Sequence, residues 1–336
     1  MQITNPKYSG TLGLIVITVI GIALVRTRRT TETPVSATPD RVFCTADGTL
    51  ADTPPIQSHR SYCMRSDTHI RTYLPGVPQM YAFSIIDDRG ETLTEYAVTH
   101  TKPMHLIVVR TDLQHFQHLH PTFDAATGQW TLTDLMFSED GTYRIYADFA
   151  PVQGTRDPHG APIPITIAEN ISVGAGAAYS RVPLENEATT KTFDSYQVTL
   201  SANPLVANTD TPLTFRITQH GAPAKSLEEY LGARGHSVIL RSETLDFLHT
   251  HPSATPHAPL DGIVDFRVTF PEAGRYKIFT QFKIAGRVIT TDFVVSVSRA
   301  DGRMQAQRPH ANDDYRASYE TMGNESAPNH SVPATH

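Results

Sequence analysis

A histidine-bearing segment that occurs twice, at one fixed offset, constrains this chain more than any other feature. Met104–Pro121 reads MHLIVVRTDLQHFQHLHP, and Gly235–Pro252 reads GHSVILRSETLDFLHTHP. The two align without a gap, 131 positions apart. His105, Arg110, Phe116, His118, His120 and Pro121 fall on His236, Arg241, Phe247, His249, His251 and Pro252. Gly141–Phe149 (GTYRIYADF) matches Gly274–Phe282 (GRYKIFTQF) at an offset of 133, and Tyr81–Asp87 resembles Leu213–Thr218. Self-similarity at this scale defines the unit of architecture, here a duplicated domain.

Each copy reads as short strands separated by turn residues, the pattern of an all-β sandwich. The first copy predicts strands at Tyr81–Ile86, His105–Arg110, Phe116–His120, Trp130–Met136, Thr142–Phe149 and Ile163–Val173. The second predicts Tyr196–Leu200, Leu213–Ile217, Ser237–Arg241, Phe247–His251, Val264–Phe270, Arg275–Ile284 and Val288–Val297, with a helical turn only at Leu227–Leu231. The domains therefore run over 41–173, including a cysteine-containing extension, and over 192–298, joined by a link at 174–191 that Gly174 and Gly176 open. The polar stretch 299–336 carries His310, His330 and His336 but few large apolar residues, and is expected to be a disordered tail.

The histidine spacing fits an antiparallel hairpin. With a turn at Thr111–Gln114, a constant sum of paired positions of 223 or 225 sets His105 opposite His118 or His120. The turn at Ser242–Leu245 sets His236 opposite His249 or His251 in the same way. Residues two apart share a face, and directly opposed side chains lie about 5 Å apart at Cβ. Three imidazoles can thus converge on one ion in each copy. Neutral nitrogen ligands with an open position suit zinc or copper, and ligand type alone does not separate the two. His100 could extend the first site and His257 the second. His115 aligns with Asp246, outside the common set, and is expected to be exposed. Binding through neutral imidazoles predicts that occupancy falls as the pH drops through about 6.5. Arg110 and Arg241 read as partners for carboxylates.

Tyr8–Val25 is uncharged and strongly apolar from Leu12 onward. At helical rise it covers roughly 27 Å, enough to span a bilayer. It follows a short n-region, 1–7, and precedes a Thr/Pro-rich stalk, 26–40. No small-residue cleavage site follows, so an uncleaved membrane anchor is expected, with the bulk of the chain outside the cytoplasm. Arg26, Arg28 and Arg29 on its C-terminal flank argue for the opposite orientation. The only cysteines, Cys44 and Cys63, would close a disulfide around 18 residues, worth roughly 3 kcal/mol by chain entropy. His59, Cys63, Met64 and His69 offer soft Cu(I) ligands as the other reading of this segment. A net charge of −6 with no long basic run gives nucleic acid nothing to bind.

The run GHSVILRSETLDFLHTHP, followed by FRVTFPEAGRYKIFTQFKIAGRVITTDFVVSV, resembles a group of exported bacterial proteins labelled heavy-metal- or copper-associated. The first copy is similar in style to YtkA-like immunoglobulin-type modules. The resemblance covers roughly Gln79–Ser298. It implies a β-sandwich and a metal link, placed on His105, His118 and His120 and on His236, His249 and His251.

The expectation is a membrane-anchored, extracytoplasmic protein with two tandem Ig-like β-sandwich domains. Each would present a three-histidine site for copper or zinc, in metal buffering or delivery. The alternative is a non-catalytic scaffold that binds another envelope protein and keeps its histidines for structure. No catalytic residue is assigned. A hydrolase needs a general base near the open position, and the hairpins offer only Asp112, Glu243 and Asp246.

Overall fold

The computed structural model describes residues 43–44, 50–51, 62–66, 72–158, 160–174, 179–252, 262 and 263–302, excluding the side chains of residues 43–44, 50–51, 249, 251 and 252. The expected membrane span and stalk, the tail beyond residue 302, His257 and the side chain of Cys44 lie outside these residues, as do His59 and His69. Among the described residues there is no helix, and none long and apolar enough to cross a membrane.

The first copy contributes β1 (Phe43–Cys44), β2 (Leu50–Ala51), β3 (Tyr62–Ser66), β4 (Gln79–Asp87), β5 (Tyr96–Ala97), β6 (Met104–Arg110), β7 (Gln117–Leu119), β8 (Thr122–Asp124), β9 (Gln129–Leu135), β10 (Gly141–Pro151) and β11 (Ile165–Val173). The second contributes β12 (Thr190–Phe193), β13 (Tyr196–Ala202), β14 (Asp210–Gln219), β15 (Ala222–Pro223), β16 (Leu227–Glu228), β17 (His236–Arg241), β18 (Phe247–Pro252), β19 (Ile263–Thr269), β20 (Gly274–Ile284) and β21 (Arg287–Val297). Every strand expected from the sequence is present. Two regions differ from expectation. Leu227–Glu228 is not helical but extended, paired to Lys283 and Ile284 of β20, because edge pairing outweighs the weak helical preference of one short segment. Thr190–Phe193, partly assigned to the link, pairs with β13 instead.

In the first copy the sheet β3-β4-β9-β8 and the sheet β11-β10-β6-β7 share one core. Tyr81, Phe83, Ile85 and Trp130 come from one sheet; Leu106, Val108, Ile145 and Phe149 come from the other. The second copy repeats this core with Phe215, Phe266, Ile278, Phe282 and Phe293. Here β18 runs on to Pro252 and pairs with β19 as well as β17, so its strands form one ten-stranded sheet.

β6 (MHLIVVR) is buried along its whole length, and alternation explains why. Met104, Leu106 and Val108 enter the first core, while Ile107 and Val109 enter a third apolar cluster with Leu113, Tyr146, Val238, Leu240 and Phe279. A strand buried on both faces reads as a continuous apolar run. The third cluster joins the copies, and its contacts are reciprocal. Phe116 stacks on Phe279 at 4.3 Å, and their repeat counterparts Phe247 and Tyr146 meet at 5.4 Å. His105 stacks on its own counterpart His236 at 5.3 Å, with planes 14° apart. Equivalent residues meeting one another mark a two-fold relation, the isologous arrangement of a symmetric dimer built within one chain.

The far end of each histidine hairpin is held by a buried arginine. Arg110 bonds Asp112 (2.9 Å) and Glu139 (2.7 Å), and Arg241 bonds Glu272 and lies 3.6 Å from Glu243. A glycine backs each arginine: Gly141 (φ 144°) and Gly274 (φ 153°). A Cβ at Gly141 would stand 2.7 Å from Arg110 Cδ, which accounts for the repeated glycine that opens β10 and β20.

Candidate metal site

The hairpin register takes the sum of 225. Leu106 pairs with Leu119 and Ile107 with His118, which aligns His105 with His120 just beyond the ladder. The second copy repeats it: Val238 pairs with His249 and Ser237 with Thr250, aligning His236 with His251. Opposed residues share a face, so His105, His118 and His120 stand on the side that faces the other copy.

There they converge. One ring nitrogen from each lies within 4.8 Å of the other two. His105 Nδ1 is 3.0 Å from His118 Nε2 and 3.2 Å from His120 Nε2. Two nitrogens at about 2.0–2.1 Å from one zinc ion are separated by roughly 3.3 Å in a tetrahedral shell, and by less in a square one. The observed separations fit an ion.

The outer nitrogens decide which inner ones carry lone pairs. His105 Nε2 donates to the carbonyl of Thr99 at 3.0 Å, leaving Nδ1 as an acceptor. His118 Nδ1 faces Gln281 Oε1 at 2.8 Å; donation to that oxygen leaves Nε2 as an acceptor. Two lone pairs then point at each other across 3.0 Å, an arrangement stabilised by a cation between them. Thr99 is placed by a tight turn in which Thr99 and Lys102 exchange backbone bonds, with His100 and Thr101 both at positive φ.

Charge on these rings is disfavoured. Burial, and then the neighbouring His105 and His120, push His118 down to about 3; burial, His105 and Lys102 push His120 down to about 4. The lone pairs therefore persist in solutions more acidic than the ordinary histidine value near 6.5 allows.

Two further imidazoles border the triad. His236 centres 5.0 Å from His118, and His100 lies 6.0 Å from His105 and 5.2 Å from His236. Thus His236, assigned from sequence to a site of its own, stands against the first copy's triad. His100 adjoins the three without being one of the converging set. The backbones of His249 and His251 hold the register positions of His118 and His120; their side chains are outside the described residues. His115 is half-buried rather than exposed, with Nε2 3.2 Å from Glu139. Asp112 and Glu243 lie beside the arginines at the turn end, and Asp246 is bonded by Thr244.

Sequence reasoning missed Thr99, Gln281 and Asp148. A buried side chain, Asp148 pairs across the ladder with His105 and accepts from Thr166 Oγ1 at 2.9 Å. Gln281 occupies the same place opposite His236. Both are polar residues at matching positions of GTYRIYADF and GRYKIFTQF, and that match was the available signal.

The model of one family, described as a domain of unknown function (DUF8832), matches residues 65–160 and 190–299, more than half of the chain. The chain belongs to this family. None of the curated proteins matches it. Among solved structures it is similar to Escherichia coli alpha-2-macroglobulin activated by porcine elastase (14% identity, TM-score 0.21) over 72% of this chain and 20% of that one. It is also similar to surface layer protein SbsC, domains 4–9 (11%, TM-score 0.20; 79% and 38%), and to a marsupial T cell receptor (10%, TM-score 0.20; 71% and 98%). The chain spans a fifth of the length of the macroglobulin. Likenesses of this size carry no inference.

Proposed function

For this member of the DUF8832 family, we propose a metal-binding role: copper or zinc is held by His105 Nδ1, His118 Nε2 and His120 Nε2, and the protein buffers or delivers that ion. The observation that carries the reading is the convergence of three ring nitrogens, two with their tautomers set by hydrogen bonds on the far side. A ligating histidine that donates its other N–H to a carbonyl is the usual outer support of a metal site. His236, His249 and His251 form the counterpart set of the second copy, and the shared register supports it.

The setting belongs to the same proposal. The 8–25 segment anchors the chain in a membrane, and the domains stand outside the cytoplasm as tandem Ig-like, YtkA-like sandwiches. Another envelope protein exchanges the ion with them. Cys44 and Cys63 form a disulfide; Cys63 is buried and its thiol is not free, which supports it.

The test is metal analysis of the purified chain with and without chelator, followed by calorimetric titration with zinc and copper. His118→Ala with His120→Ala should remove binding at the first site and leave any second-copy site intact. Equal stoichiometry in variant and parent refutes the assignment. A parent chain that takes up neither metal leaves the scaffold reading in its place.

A further inference from the structure

We infer that Gln281, which reaches the site from the other copy, is the positioning residue that selects the metal-binding tautomer of His118. The inference deepens the metal-binding reading and rests on it.

Gln281 lies on β20, opposite His236 in its own sheet, with only 7% of its surface exposed. Its amide has two engagements. Oε1 faces His118 Nδ1 at 2.8 Å, and Nε2 donates to Thr290 Oγ1 at 3.1 Å. With the oxygen toward the ring, Nδ1 must carry the hydrogen, and Nε2 presents its lone pair to the space shared with His105 and His120. Turned over, the amide NH2 would donate to Nδ1 and Thr290, a hydroxyl, would donate to the amide oxygen. His118 Nε2 would then carry the hydrogen and donate to His105 Nδ1, only 3.0 Å away. The triad would be closed by an internal hydrogen bond instead of open to an ion.

An amide can serve either state. A carboxylate accepts only, so it holds the open one. The first copy carries such a group, Asp148, at the position that matches Gln281. The two copies therefore differ in chemistry at this repeated position, and the copy-one triad depends on docking of copy two to receive its partner.

The experiment compares the full-length parent with Gln281→Glu and Gln281→Met. The His118 tautomer is read by nitrogen-15 NMR in the metal-free chain, and zinc affinity by competition with a chelating dye. Gln281→Glu should fix the Nδ1–H form and tighten zinc at least several-fold. Gln281→Met should lose that form and weaken zinc by about 10- to 100-fold, the usual cost of removing such a partner. Unchanged tautomer and zinc affinity in both variants overturn the inference. A thermal melt shows whether Gln281→Met is folded; if it is not, the Glu variant decides alone. A parent that binds neither zinc nor copper sinks the metal reading, while the tautomer shifts still decide the role of Gln281.

Discussion

Acid should destabilise the metal-free protein through the triad itself, and the size of the effect follows from the site. In the unfolded chain His118 and His120 titrate near 6.5; folded, they titrate at about 3 and about 4, first because they are buried and then because His118 faces His105 and His120, while His120 faces His105 and Lys102. Their folded values are depressed, so between these limits the unfolded state binds more protons. Stability is therefore highest above about 6.5 and falls as the pH drops toward 4. Each group contributes a slope of about 1.4 kcal/mol per pH unit, so the pair costs about 3–4 kcal/mol between pH 7 and pH 5. That is a large share of the 5–15 kcal/mol typical of a domain. The surrounding groups are His105 on β6, His100 and Lys102 on the adjoining turn, Asp148 on β10, and His236 with neutral Gln281 from the other copy. Urea unfolding with chelator present, followed by the fluorescence of the only tryptophan, Trp130 in the first core, reads this directly. The matching control is His118→Leu, which should lose about half of the slope. Equal stability at pH 7 and pH 5 in the parent, or an identical slope in the variant, refutes the reasoning.

Two further outcomes probe the frame around the site. Phe279→Ala removes the ring stacked on Phe116 at the joint between the copies, and should cost about 3–5 kcal/mol in the same unfolding assay; a cost below about 1 kcal/mol would show that the joint is not packed as described. Gly141→Ala puts a methyl group 2.7 Å from Arg110 Cδ at φ 144°. It should cost about 1–3 kcal/mol, whereas the same change at Gly76, with open space around it, should cost less.

Much of the fold was legible because the repeat removes ambiguity. One apolar run is uncertain between strand and buried helix; two runs that keep the same polar residues at the same offsets are not. The turn lengths limited the hairpin sum to 223 or 225, and either value gives His105, His118 and His120 a shared face; the ladder of the folded chain takes 225. The helical reading at Leu227–Leu231 failed because that short segment finds a sheet edge, a partner that local preference does not record.

From the chain alone came the all-β class, the duplication and the three histidines on one side of the first hairpin, since these depend on spacing and alternation within a few tens of residues. Only the tertiary structure decided that this side faces the other copy, that His236 stacks on His105, and that Thr99 and Gln281 set the ring nitrogens. Those facts depend on how two distant faces dock. An apolar strand face looks the same in sequence whether it packs on its own core or on its repeat.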